Sequence, residues 1–176
     1  MSHYLDLFRF CPVCGSSQFA EHNEKSKHCN SCGFTYYFNM SCSIAMLIHN
    51  ERGELLTAIR AKEPKKGMLD LVGGFVDPQE NLETAARREV MEETGLDLSG
   101  VPLRYVCSEP NTYLYSGLLV HTCDVYFDAL VPSAAALQAD DDVASLRWMR
   151  LEDIKLEDVA FDSSRRVLER LKNNAL

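Results

Sequence analysis

The apolar pattern of the chain changes character near residue 40. Before that point aliphatic residues are sparse, too few for a core of their own. The expected organisation is a small module over residues 1–38 and a main domain over residues 39–176. From Ser41 onward, "CSIAMLIHN" reads as an apolar strand, "ERG" as a turn and "ELLTAIRA" as its hairpin partner. "KEPKKG" is a basic loop, and "MLDLVGG" is a short strand closed by paired glycines. Asn81 is placed to cap a helix from Leu82 to Thr94, with Gly95 as its stop. "PLRYVCSE", "LLVHTCDVYFDALV" and "SLRWMRL" read as further strands. Leu156 to Lys172 suggests a second helix with Val159, Val167, Leu168 and Leu171 on its apolar side. Strands on both sides of the first helix imply a layered α/β domain rather than a bundle.

The first helix carries an unusual charge pattern. From Gly74 to Leu96 there are six acids (Asp77, Glu80, Glu83, Glu89, Glu92, Glu93) against Arg87 and Arg88. At about 100° per residue from Leu82, Glu89 falls at about −20°, Glu93 at about +20° and Glu92 at about −80°. Ala85 and Val90, at about −60° and +80°, lie on the same side of the helix. The three glutamates therefore extend the inward face. Like charges at i,i+4 repel by roughly 0.2–0.5 kcal/mol per pair. Carboxylates near a helix C-terminus oppose its dipole by roughly 0.3–1 kcal/mol each. Glu83 and Arg87 can form one favourable pair, but two arginines cannot neutralise the set. Divalent cations are the natural supplement, and an all-oxygen donor set suits Mg²⁺ or Mn²⁺.

The seven cysteines add a second metal reading. Cys11, Cys14, Cys29 and Cys32 are spaced C-x2-C-x14-C-x2-C, and a glycine follows each pair. Two such knuckles complete a closed tetrahedral site for structural Zn²⁺. His22 and His28 lie between the pairs and are expected to be bystanders. An odd cysteine count excludes a complete disulfide framework, and free cysteines point to a reducing compartment, the cytoplasm. No apolar run approaches the length that crosses a bilayer, so no membrane partner is expected. The net charge of −8 argues against nucleic acid as a partner, with Arg9, Lys25 and Lys27 a thin basic set in the small module.

Read as G-x5-E-x7-R-E-U-x-E-E-x-G-U, with U a bulky aliphatic, the helical segment resembles the Nudix box at every fixed position. These are Gly74, Glu80, Arg88, Glu89, Val90, Glu92, Glu93, Gly95 and Leu96. The resemblance implies an α/β/α sandwich with a mixed sheet. It implies that Glu89, Glu92 and Glu93 bind catalytic Mg²⁺, joined by the Gly73 carbonyl, and that Arg88 orients a helix glutamate. The implied reaction is attack by water on phosphorus in a nucleoside diphosphate-X, with a late-loop acid among Asp140, Asp141 and Asp142 as candidate base. A zinc ribbon ahead of the box resembles the NADH pyrophosphatase group, and a homodimer is implied with it. That group carries Ser-Gln-Pro-Trp-Pro-Phe-Pro after the box. Here "SEPNTYLYSG" keeps Ser108 and Pro110 but not the residues at Glu109, Asn111 and Thr112. The resemblance thus supports the architecture and chemistry rather than one dinucleotide. Tyr113 and Tyr115 are candidates to stack on a base, and Lys66 is a candidate phosphate contact with Lys62 and Lys65 beside it. The rival reading is a catalytically silent Nudix-like module that binds a nucleotide or a partner through the ribbon.

Overall fold

The computed structural model describes residues 3–176, in two compact units, Met1–Met40 and Ser41–Leu176. The first unit is a three-stranded antiparallel sheet of β1 (Phe19–Asn23), β2 (Ser26–Cys29) and β3 (Thr35–Tyr37). Its buried cluster consists of Cys11, Phe19 and Cys29, with Phe34 packed against it. So small a core needs a staple. The Gly15 and Gly33 N–H groups donate back to the Cys11 and Cys29 carbonyls, each at 2.9 Å, and close the two knuckles.

The second unit is a mixed six-stranded sheet between two helices. Its strands are β4 (Ser41–His49), β5 (Glu54–Arg60), β6 (Leu69–Asp70), β7 (Arg104–Tyr115), β8 (Leu118–Leu130) and β9 (Val143–Arg150). The order is β6-β5-β4-β8-β7, with β9 paired to β5. β4 runs parallel to β8, and their side chains alternate between two cores. Ile44, Met46, Ile48, Val125 and Phe127 pack with Ala85, Ala86 and Val90 of helix α1 (Leu82–Thr94). Leu47 and Tyr126 pack instead with Val167 and Leu168 of helix α2 (Asp162–Lys172). The result is the expected α/β/α sandwich. Among the described residues no helix is long and apolar enough to cross a membrane.

Two expected elements differ. β5 is the hairpin partner of β4 only at His49↔Leu55. It then pairs with β9 from Glu54↔Arg150 to Arg60↔Val143. The vacated edge of β4 is taken by the glycine-bearing segment after β6: Met46 N–H donates to the Val72 carbonyl at 2.8 Å and Ile44 N–H to Gly74 at 2.9 Å. The second helix does not begin at Leu156. Leu156–Asp158 is a single 3₁₀ turn, and Val159 then bridges Leu69 while Ala160 N–H donates to the Leu69 carbonyl at 2.8 Å. Pairing with β6 and burial of Val159 outcompete helical propensity there.

Helix α1 follows the sequence expectation at both ends. The Asn81 side chain accepts from Thr84 N–H at 2.8 Å, and Gly95 adopts φ 72° with its N–H on the Met91 carbonyl. Arg87 does not pair with Glu83; it donates to the Val101 carbonyl at 3.0 Å. Replacing Asn81 by alanine leaves the Thr84 N–H without its cap. A loss of about 1 kcal/mol is expected, read as a lower urea midpoint at unchanged slope.

Candidate active site

The two glycines before the helix set the geometry. Gly73 has φ +149°, and a Cβ there would lie 2.2 Å from the Ile44 carbonyl oxygen, so β4 passes too close for any side chain. At Gly74 a Cβ would meet the Glu89 carboxylate at 2.5 Å. The segment is thus wedged between sheet and helix. Pairing with β4 uses the carbonyls of Val72 and Gly74 and leaves that of Gly73 outside the ladder. The Gly73 N–H turns the other way and donates to Glu93 Oε2 at 2.9 Å.

Glu93 is only 5% exposed, and among the described residues its carboxyl accepts from that backbone N–H. Burial pushes its carboxyl up to about 8, and the nearby Glu89, Asp70 and Asp142 push in the same direction. Glu89 is also raised by burial, although Arg88 opposes the shift. Glu92 does not lie inward as expected. Its side chain is 47% exposed, drawn outward by Arg88 Nη1 at 3.0 Å. The covered flank of the last turn is the Glu93–Thr94 side, where the Asp140 and Gln138 N–H groups donate to those residues' carbonyls.

Arg88 organises the acids. Its Nε and Nη2 grip Glu80 bidentately at 2.9 and 2.8 Å. Nη1 reaches Glu89 at 2.8 Å, and Nη2 also donates to the Phe75 carbonyl at 3.1 Å. Charge-assisted forks of this kind fix geometry as well as charge. Hydrogen bonding to Arg88 holds Glu80 below the usual carboxylate range.

The site opens into a cavity of about 340 Å³. Gly73, Gly74, Glu93 and Asp142 line it together with Tyr113 and Tyr115. Of the late-loop acids, Asp142 therefore reaches the cavity. Asp140 and Asp141 are exposed outside that lining, and Lys62 holds Asp141 and Asp142 at 2.9 and 2.6 Å. Lys66 is exposed and is not among the lining residues. Several lining residues escaped the sequence reading. Arg60 pairs with buried Asp70 at 2.9 Å and lies 4.9 Å over the Phe161 ring, which in turn sits 5.2 Å from Tyr113. Burial raises Asp70 to about 6 despite Arg60. Asp124 accepts from three hydroxyls. The available signal was a lone acid within an apolar strand, "MLDLVGG" for Asp70 and "TCDVYF" for Asp124.

The Cys11–Cys32 and Cys14–Cys29 sulfurs lie 3.7 and 3.6 Å apart, and all four lie within 4.8 Å of one another. A tetrahedron with metal–sulfur bonds of about 2.3 Å has edges of about 3.8 Å, so the thiols fit zinc. Among the described residues this is the one such convergence of ligand atoms; Glu89, Glu92 and Glu93 do not close to that range. Their fit to a cation lies in the donor set: among the described residues Glu93 is a buried carboxyl with no cationic partner, and Glu89, Asp70 and Asp142 are near enough to push its pKa up.

Comparison with known proteins agrees with this picture. A family model for the NADH pyrophosphatase zinc ribbon domain matches residues 6–37. NAD-capped RNA hydrolase NudC of Vibrio atlanticus is 32% identical over 137 residues, 77% of this chain and 49% of that protein. NudC of Deinococcus radiodurans is 28% identical over 163 residues, 92% of this chain and 55% of that protein. The chain spans about half the length of these curated relatives. A Nudix hydrolase from Nitrosomonas europaea superposes with a TM-score of 0.66 at 20% identity, covering 94% of this chain and 91% of that one, which speaks for the fold alone. The family model for the NUDIX domain matches residues 42–171, most of the chain, and the chain belongs to the Nudix hydrolase family.

Proposed function

We infer that this protein is a Mg²⁺-dependent pyrophosphohydrolase that splits a nucleoside diphosphate-X into two phosphorylated fragments. The observation that carries the reading is Glu93: a buried carboxyl with no cationic partner among the described residues, pinned by Gly73 N–H where a 340 Å³ cavity meets the acidic helix. Glu89, Glu92 and Glu93, with the Gly73 carbonyl, would hold the cations. Bound there, divalent ions offset the diphosphate charge and lower the pKa of water. Arg88 is a positioning residue that keeps Glu89 and Glu92 oriented, and Glu80 anchors Arg88. Asp142 is the late-loop acid placed to accept a proton from water, with Lys62 fixing its carboxylate. Tyr113, Tyr115 and Phe161 supply aromatic surface for a base. Similarity to NAD-capped RNA hydrolases brings NAD-linked substrates forward, RNA ends included, although the acidic charge argues against nucleic acid. Cys11, Cys14, Cys29 and Cys32 would hold structural zinc in the small unit.

A panel of NADH, NAD⁺, ADP-ribose, nucleotide sugars, dinucleoside polyphosphates and NAD-capped RNA tests the reading in Mg²⁺ and Mn²⁺. Turnover of at least one member is expected, with Glu93→Gln lowering kcat by about a thousandfold or more. No turnover by protein shown to bind Mg²⁺ would leave the silent binding module in its place.

The sign of the pH effect follows from Glu93. Its carboxyl is raised from 4.5 to about 8 in the metal-free fold, so the folded state holds a proton that the unfolded state releases. Metal-free protein should lose stability as pH rises from 4.5 to 8. Below 8, Mg²⁺ must displace the proton, so affinity should climb with pH and level off above it. Calorimetric Mg²⁺ titrations in buffers of different ionisation enthalpy should show proton release at pH 7 and little at pH 9.

Zinc removal gives an independent check on the small unit. Chelation, or Cys29→Ser, should abolish amide protection in Phe19–Tyr37 while protection in Ser41–Leu176 persists.

A further inference from the structure

The face of the sheet that supports α2 also floors the cavity. β7 and β8 pair antiparallel with Asn111 opposite Thr122 and Tyr113 opposite Val120. Asn111, Tyr113, Thr122 and Asp124 therefore point to one side, and all four line the cavity.

Asn111 is 7% exposed and lines the cavity, and among the described residues no side chain or backbone group hydrogen-bonds its amide. The amide atoms are not enclosed by protein but open to the cavity, so a molecule in the cavity is what they can pair with. Asp124, 8% exposed, is nearly but not wholly satisfied. Its Oδ1 accepts from Ser43 and Thr122, each at 2.5 Å, and its Oδ2 accepts from Ser163 at 2.6 Å. A carboxylate offers about four acceptor positions, so one remains, on Oδ2. The three hydroxyls explain how Asp124 fastens α2 and β4 to β8. They do not explain Asn111, which fastens nothing. Asn111 is also a position where the chain departs from the motif of the group it resembles.

We propose that Asn111 and Asp124 together read the amino edge of a 6-aminopurine, the adenine of the nucleoside diphosphate. An exocyclic amino group has two N–H donors, one for Asp124 Oδ2 and one for Asn111 Oδ1. Asn111 Nδ2 then donates to the neighbouring ring nitrogen, the bidentate pairing that an asparagine makes with adenine. The Tyr113 and Phe161 rings, 5.2 Å apart, give the base an aromatic wall. A 6-oxo base presents an acceptor at the same edge. Asn111 can flip to meet it, but the Asp124 carboxylate offers lone pairs, so the 6-oxo edge meets an acceptor. Selectivity for the amino base lives in the pair and depends on the carboxylate.

This inference rests on reading the cavity as a nucleoside diphosphate site, and it is tested without turnover. The full chain in Mg²⁺ is titrated calorimetrically with AMP, IMP, GMP and UMP; IMP differs from AMP in carrying the oxo group. AMP should bind at least about tenfold more tightly than IMP. Asn111→Leu should erase most of that preference, and it should raise or preserve Tm because no internal hydrogen bond is lost. Equal binding of AMP and IMP, preference for GMP or UMP, no mononucleotide binding, or an Asn111→Leu variant that keeps the AMP preference would each overturn the assignment. A chain that prefers AMP yet hydrolyses nothing would sink the hydrolase reading and leave this one standing. Hydrolysis without base preference would do the reverse.

Discussion

Arg88 sits among carboxylates that would otherwise face one another. It holds Glu80 through two bonds, Glu89 and Glu92 through one each, and the Phe75 carbonyl through another. Helix α1, the loop before it and the strand-like glycine segment all meet at this guanidinium. The acids raise its affinity for its proton, and hydrogen bonding to Glu80 is the largest cause. Without Arg88, three carboxylates lose their common partner, and repulsion would work against the helix as well as the site. Arg88 does not reach Glu93. There a divalent ion would take the place of the proton that burial favours.

The glycine segment transmits this arrangement to the cavity. Gly73 and Gly74 lie close enough to β4 and Glu89 that neither position can carry a side chain without displacing one or the other. The same backbone donates to Glu93 and contributes to the cavity lining. The acidic helix packs on one face of the sheet while the cavity floor belongs to the other, and this segment joins them. On the cavity side, Asp124 ties Ser43 of β4, Thr122 of β8 and Ser163 of α2 into one unit. Rigid support of that sort is what a specificity pocket requires.

The electrostatics of the unit follow from burial more than from net charge. Asp70 and Glu93 are both pushed up by desolvation, yet their fates differ. Asp70 has Arg60 at 2.9 Å and a backbone N–H from Leu71, so its charge is accommodated inside the protein. Glu93 has one backbone donor and acidic neighbours. A paired buried acid builds structure; an unpaired one beside a cavity is the kind of group the proposed cation would bind.

By itself the sequence determined those features whose physics is local. The Asn81 cap and the Gly95 stop depend on residues within one or two turns, and both appear in the structure. The two Cys-x-x-Cys knuckles are equally local, and the thiols they present do converge. Tertiary structure decided whatever depends on register between distant strands. Ser43 and Asp124 lie 81 residues apart, and Asp124 and Ser163 lie 39 apart. No local pattern reveals that such residues share a cavity. β5 turning to β9, Val159 leaving the helical path for β6, and Glu92 swinging out to Arg88 are each outcomes of competition among long-range partners. Chain-local free energies specify where elements start and stop; only packing specifies which faces meet, and the cavity exists where those faces meet.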